Sequence, residues 1–317
     1  MDTRTLGTSH LTVSVVGLGC NNLGRPGTLT FDQEGTDAVI HAALDAGVTF
    51  FDTADVYGAE YGLSETRLGA ALRGRRDEAI VATKFGHASM SSPLGEFGPK
   101  GGRAYIRAAV EGSLGRLGIE TIDLYQLHTP DPETPIEETL GALDELVREG
   151  KVRAIGTSNF DGAQLAAADT AATALGTARF VSAQNEYSLL ERGAEADVLP
   201  TAERLGLGFL PYFPLVNGLF TGKFSRTEVP ADTRIGRQRP HIAENAPWDA
   251  IEALTALAED HGTDLLGATF GWLLAHPALS SVIAGATRPE QIRANAAAGG
   301  AWRPTADEVA QIDALFP

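Results

Sequence analysis

Four residues in this sequence have the types and order needed to place a proton on a carbonyl oxygen: Asp52, Tyr57, Lys84 and His128. Asp52 and Tyr57 lie in "FFDTADVYG", Lys84 in "VATKFG" and His128 in "YQLHTP". A phenol titrates near ~10, too weak an acid for efficient donation at neutral pH. A nearby ammonium stabilises the phenolate and lowers that value. The ammonium in turn needs a carboxylate to stay charged in a low-dielectric site, and Asp52 supplies one. His128 can orient or polarise the carbonyl oxygen. No side chain is a hydride source, so reduction by this set needs a cofactor. Asp55 reads as a turn residue that helps the chain leave its strand. The other histidines, His10, His41, His87, His241, His261 and His276, read as surface or helix residues without metal-ligand spacing.

These four residues must be brought together by elements far apart in the chain. Short β-rich runs, "VVGLG", "TFFDTA", "AIVATK", "IDLYQLH", "VRAIGTS", "FVSAQNE", "GFLPYF" and "SSVIAG", alternate with helical patterns. In "IEETLGALDELVREG", Ile136, Leu140, Leu143 and Val147 recur at helical spacing and Gly150 stands at the C-cap. Near-continuous apolar strands suit a parallel sheet covered on both faces. Eight βα units in this length predict an α/β fold, a (β/α)8 TIM barrel, occupying residues 1–317 as a single domain. "TRTL" and "LTVS" around "GTS" predict a short N-terminal β-hairpin that plugs the barrel floor. A doubly wound sheet competes with the barrel, but "GLGCNNLG" fails the dinucleotide fingerprint: its third glycine comes late and no acidic residue follows at the required distance. Two long connections, 86–102 and 214–245, fall on the face where strands end, and long loops in a compact domain are usually functional.

Composition narrows the class. The chain has 317 residues and a formal net charge of -16, which argues against nucleic acid or an anionic membrane as partner. The single cysteine, Cys20, excludes an intramolecular disulfide and a cysteine-based zinc site. No stretch approaches the ~20 apolar residues of a membrane helix, and "MDTRTLGTSH" lacks a signal-peptide core. The expectation is a cytoplasmic protein without metal.

The sequence resembles the aldo-keto reductases, NAD(P)(H)-dependent (β/α)8 barrels. "GLGCNNLG", "FFDTADVYG", "VATKFG", "IDLYQLHTP", "IGTSNF", "QNEYSLLER", "PYFPLVNGLFTGK" and "IAGATRPEQIRANA" carry the resemblance over the whole chain. It implies an oxidoreductase that converts aldehydes or ketones and alcohols, with Tyr57 as general acid, Lys84 tuning it, Asp52 pairing with Lys84 and His128 orienting substrate. It implies that Ser158, Asn159 and Gln184 bond the nicotinamide carboxamide and that Tyr212 stacks on the ring. Phe213, Leu215, Asn217, Gly218, Lys223 and Arg234 would meet pyrophosphate and adenosine. Gly285, Thr287, Arg288, Gln291 and Asn295 would lie by the adenosine phosphate, at a helix start. Many members carry lysine in place of Gly285 and glutamate in place of Ala294, so Lys223, Arg234 and Arg288 are the cations left for a 2′-phosphate. The implied cofactor is NADPH/NADP+, with NADH admitted.

The resemblance also places Asn21, Phe85 and Thr129 at the substrate pocket. Asn21 and Thr129 stand where many relatives carry tryptophan, and after "DEVAQIDALFP" no C-terminal substrate loop is expected. A small polar or sugar-like carbonyl compound is the expected partner. Two other readings compete. A cofactor-binding regulatory subunit, like the channel β subunits that resemble this family, would need a membrane partner. A metal-dependent barrel isomerase would use Asp52 and His128 as ligands, beside a lysine that repels cations.

Overall fold

The computed structural model describes residues Met1–Pro317. Strands β1 (Thr3–Thr5) and β2 (Thr12–Ser14) pair antiparallel, with Thr3 opposite Ser14. Eight parallel strands follow: β3 (Val16–Gly19), β4 (Phe50–Asp52), β5 (Ile80–Phe85), β6 (Ile122–Leu127), β7 (Val152–Ser158), β8 (Phe180–Glu186), β9 (Gly208–Tyr212) and β10 (Val282–Gly285). Their order is β10-β3-β4-β5-β6-β7-β8-β9, so sequence neighbours are sheet neighbours from β3 to β9. The seam between β9 and β10 is narrow. The Phe209 amide donates to the Ala278 carbonyl at 2.7 Å and the Ser280 amide to the Phe209 carbonyl at 3.0 Å. The next residue of β9 facing that seam is Pro211, which has no N–H to extend the ladder.

Helices α1 (Gln33–Asp45), α2 (Leu63–Ala71), α3 (Arg103–Leu117), α4 (Ile136–Arg148), α5 (Gly162–Leu175) and α6 (Val198–Leu205) follow β3 to β8 in turn. After β9 come α7 (Arg234–Gln238), α8 (Pro240–Glu244), α9 (Trp248–Asp260) and α10 (Leu265–Ala275). Helix α11 (Pro289–Ala298) follows β10, and α12 (Ala306–Leu315) comes last. These are the strands and helices of a (β/α)8 barrel with an N-terminal hairpin, as the alternating periods predicted. Helix α4 buries Leu140, Leu143 and Leu146 and turns Glu137 and Glu138 out at its N-terminus, where negative charge is favoured. Burial of each leucine contributes about 1.5–3 kcal/mol. Gly150 lies one residue beyond the cap at φ +74°. No helix is long and apolar enough to cross a membrane.

The barrel interior explains where the chemistry sits. Phe50, Ala82, Leu124, Ala154, Leu210 and Ile283 pack with Leu6, Leu11 and Val13 of the hairpin, so the hairpin plugs the floor. Gly7 adopts φ +53°, and a Cβ there would lie 2.2 Å from the Val181 carbonyl oxygen. Only glycine allows that approach. Side chains two residues apart on a strand share a face. Two residues beyond Phe50, Ala82, Leu124 and Leu210 are Asp52, Lys84, Gln126 and Tyr212. The same inward face is therefore apolar at the floor and polar at the mouth.

Candidate active site

At the mouth, Lys84 Nζ donates to Asp52 Oδ2 at 2.5 Å and to the Thr53 carbonyl at 3.1 Å. The lysine is fully buried and Asp52 is 3% exposed. The other carboxylate oxygen, Asp52 Oδ1, accepts from Gln126 Nε2 at 3.1 Å and Gln184 Nε2 at 3.0 Å. Lys84 Nζ also lies 5.2 Å from the centre of the Tyr57 ring. Burial works against the ammonium, but Asp52 and Tyr57 together hold its pKa above the ordinary lysine value. Burial raises Tyr57 and outweighs the downward pull of Lys84, so the phenol is a weaker acid than usual rather than the stronger one expected from the lysine alone. His128 meets Tyr57 edge to face at 5.7 Å. Burial, then Lys84, His87 and Lys100, push His128 well below the usual histidine range, so its ring is neutral at physiological pH. Its Nδ1 is buried without a hydrogen-bond partner.

A cavity of about 1370 Å³ opens beside this group. Asp52, Tyr57 and His128 line it, while Lys84 lies beneath. Asn21 and Thr129 line it too. Phe85, expected at the substrate wall, does not: Lys84 faces inward, so its strand neighbour faces outward, where Phe85 stacks on Tyr125 at 4.6 Å. His87, expected at the surface or in a helix, instead lines the cavity, its ring 4.5 Å from that of His128. Its place three residues past Lys84, at a strand end, was the available signal. Asp55, read as a turn residue, is fully buried. Gln126 was also missed; its position two residues before His128 on an inward face was the clue.

The residues assigned to a cofactor by resemblance converge on the same cavity. Ser158, Asn159, Gln184 and Tyr212 lie on one side, joined by bonds from Tyr212 Oη to Asn159 Oδ1 at 2.8 Å and from Ser158 Oγ to the Gln184 carbonyl at 2.9 Å. The amide nitrogen of Gln184 is held by Asp52. Phe213, Leu215, Asn217, Gly218, Lys223 and Arg234 come from the loop after β9. Gly285, Thr287, Arg288, Gln291 and Asn295 come from β10 and the start of α11. Gln291 Oε1 caps the Thr287 amide at 2.8 Å.

Three observations suit a large anionic dinucleotide. Asn159, Phe213, Val216 and Asn217 all have positive φ, between 48° and 63°, conformations that cost about 1–3 kcal/mol each and gather at binding sites. Asn217 Oδ1 and Arg234 Nε are buried without partners. Lys223, Arg234 and Arg288, with Arg25 and Arg237 that the sequence had not singled out, line the cavity without a carboxylate in ion-pair range. No cluster of three His, Cys, Asp or Glu side chains is placed to hold a metal ion.

The sequence pattern of the Aldo/keto reductase family matches residues 15–316. A protein named probable aldo-keto reductase 1, from Glycine max, is 37% identical over 272 residues, which cover 85% of this chain and 76% of its own. The uncharacterized oxidoreductase YrpG of Bacillus subtilis (strain 168) is 36% identical over 302 residues, covering 92% of this chain and 89% of its own. The chain belongs to the aldo/keto reductase family, oxidoreductases that act on carbonyl compounds with nicotinamide cofactors.

Proposed function

We propose that this protein, as one barrel domain, is an NADP(H)-dependent cytoplasmic carbonyl reductase or alcohol dehydrogenase in which Tyr57 is the proton donor. The observation that carries this reading is the buried Lys84, paired with Asp52 and 5.2 Å from the Tyr57 ring. A lysine sealed at the end of an inward-facing strand has no structural need that a leucine would not meet better. A nicotinamide cofactor bound in this cavity would supply the hydride. Tyr57 gives its phenolic proton to the carbonyl oxygen, and Lys84 stabilises the phenolate that remains. Asp52, steadied by Gln126 and Gln184, keeps Lys84 charged. Neutral His128 offers a ring N–H to the same oxygen and fixes its direction. Ser158, Asn159 and Tyr212 would hold the nicotinamide end of the cofactor. Lys223, Arg234 and Arg288 would hold its phosphates.

The test is Tyr57→Phe. Carbonyl reduction should fall by at least ~10²-fold, the low end for general acid catalysis, while a fluorescence titration shows NADPH binding near that of the parent. Turnover close to the parent's would refute the assignment.

A further inference from the structure

Asp55 is a buried carboxylate beside the site that the mechanism leaves unused. Its side chain is fully buried. Asp55 Oδ2 accepts from Tyr61 Oη at 2.8 Å, and Oδ1 has no partner. Its partner is thus a phenol, not a cation. The nearest guanidinium, Arg116, is engaged by Glu65, its Nε donating to Glu65 Oε2 at 2.7 Å. Glu65 is itself buried and accepts from Thr83 Oγ1 at 2.5 Å. Tyr105 on α3 donates to Ser92 Oγ at 2.9 Å, and the Tyr125 hydroxyl on β6 is buried without a partner. Lys100, from the long loop after β5, donates to the carbonyls of His87 and Ala88. The charged and titratable groups that act on Asp55 or that it acts on are therefore Tyr57, Tyr61, Glu65, Lys100, Tyr105, Arg116 and Tyr125.

The backbone of Asp55 is joined to the reactive lysine. Its amide donates to the Lys84 carbonyl at 3.0 Å, and the Tyr57 amide donates to the Ala54 carbonyl at 3.2 Å. Asp55 thus sits in the middle of the turn that presents Tyr57 to Lys84. We propose that Asp55 is a positioning residue for Tyr57, holding this turn through Tyr61, and that whether Asp55 carries a proton is felt at the donor. The inference rests on Tyr57 being the proton donor.

Burial, and then the charge of Glu65, raise the Asp55 carboxyl to about 7. Below that pH it is neutral. Above it, a negative charge two residues from Tyr57 disfavours phenolate and weakens the donor. Reduction should therefore decline as pH rises through the transition, by roughly threefold, which adds a limb to its pH profile.

The experiment is the pH dependence of kcat and kcat/KM for carbonyl reduction, with NADPH titrations alongside, for the parent, Asp55→Asn and Tyr61→Phe. Asn is nearly isosteric with the neutral acid. Asp55→Asn should erase the limb near neutrality. Tyr61→Phe should move it to higher pH, because the Tyr61 bond lowers the Asp55 pKa. Cofactor affinity should change little in either. A general packing role would instead scale activity by one factor at every pH. Profiles for Asp55→Asn that run parallel to the parent's would overturn the inference. If Tyr57→Phe is inactive in that same experiment, the proton-donor reading survives alone; if Tyr57→Phe is active, both fall.

Discussion

Lys84 and Asp52 form an ion pair on neighbouring strands of the barrel's inner wall, and both side chains are cut off from solvent. Such a pair has desolvation to overcome, and its stability depends on every remaining hydrogen-bonding position being filled. Gln126 and Gln184 fill those on Asp52. Removing one partner leaves a bare buried charge. Lys84→Met should therefore destabilise the fold by about 3–5 kcal/mol, read by urea unfolding. The double variant Lys84→Met with Asp52→Asn should recover part of that loss. Equal stability of the single variant and the parent would show that the pair is not charged.

NADPH should bind more tightly than NADH. Lys223 and Arg288 face the same cavity without carboxylate partners, and burial lowers the Lys223 pKa, leaving a poorly solvated cation. One charge-assisted contact contributes ~1.5–3 kcal/mol, or roughly tenfold or more in Kd. Titration of both cofactors at fixed ionic strength measures the ratio. Lys223→Ala with Arg288→Ala should bring it towards unity. A ratio already at unity in the parent removes the case for a 2′-phosphate site.

Small polar or sugar-like carbonyl compounds should be better substrates than bulky apolar ones. Asn21, Thr129 and His87 line the mouth, Phe85 does not, and none of the three tryptophans reaches the cavity. Fewer aromatic walls bury less substrate surface, at ~25 cal/mol per Å², and the polar walls need partners from the substrate or water. The comparison is kcat/KM for a glyceraldehyde-like aldehyde against a steroid ketone. A steroid preferred by about tenfold or more would contradict this pocket.

Asp55→Asn should stabilise the protein, and more so at higher pH. The ordinary carboxyl value is 3.8 and the folded value about 7. Below the lower value both states hold the proton and nothing is lost. Between the two, the unfolded chain releases its proton while the folded one keeps it, so stability falls as pH rises. Above about 7 the full penalty is present, on the order of a few kcal/mol. The gap in Tm between Asp55→Asn and the parent should widen from mildly acidic pH to pH ~8. A gap independent of pH would mean that Asp55 is ionised throughout.

The period of the chain carried the barrel and the positions of Asp52, Lys84 and His128 at strand ends, because a strand alternates its faces whatever surrounds it. The hairpin plug was equally local: two short β-runs around a turn, with apolar Leu6, Leu11 and Val13. What a residue faces across the structure was decided only by folding. Phe85 is the next residue after Lys84, yet one packs on Tyr125 and the other on Asp52. His87 became part of the mouth because His128 arrives from β6 beside it. Asp55 reads as a turn residue, yet it is buried and feels Tyr61, Glu65 and Arg116, the last brought in by α3. The lowered acidity of Tyr57 has the same origin: a lysine nearby could be inferred from the chain, but the burial that outweighs it is a sum over the whole packed mouth.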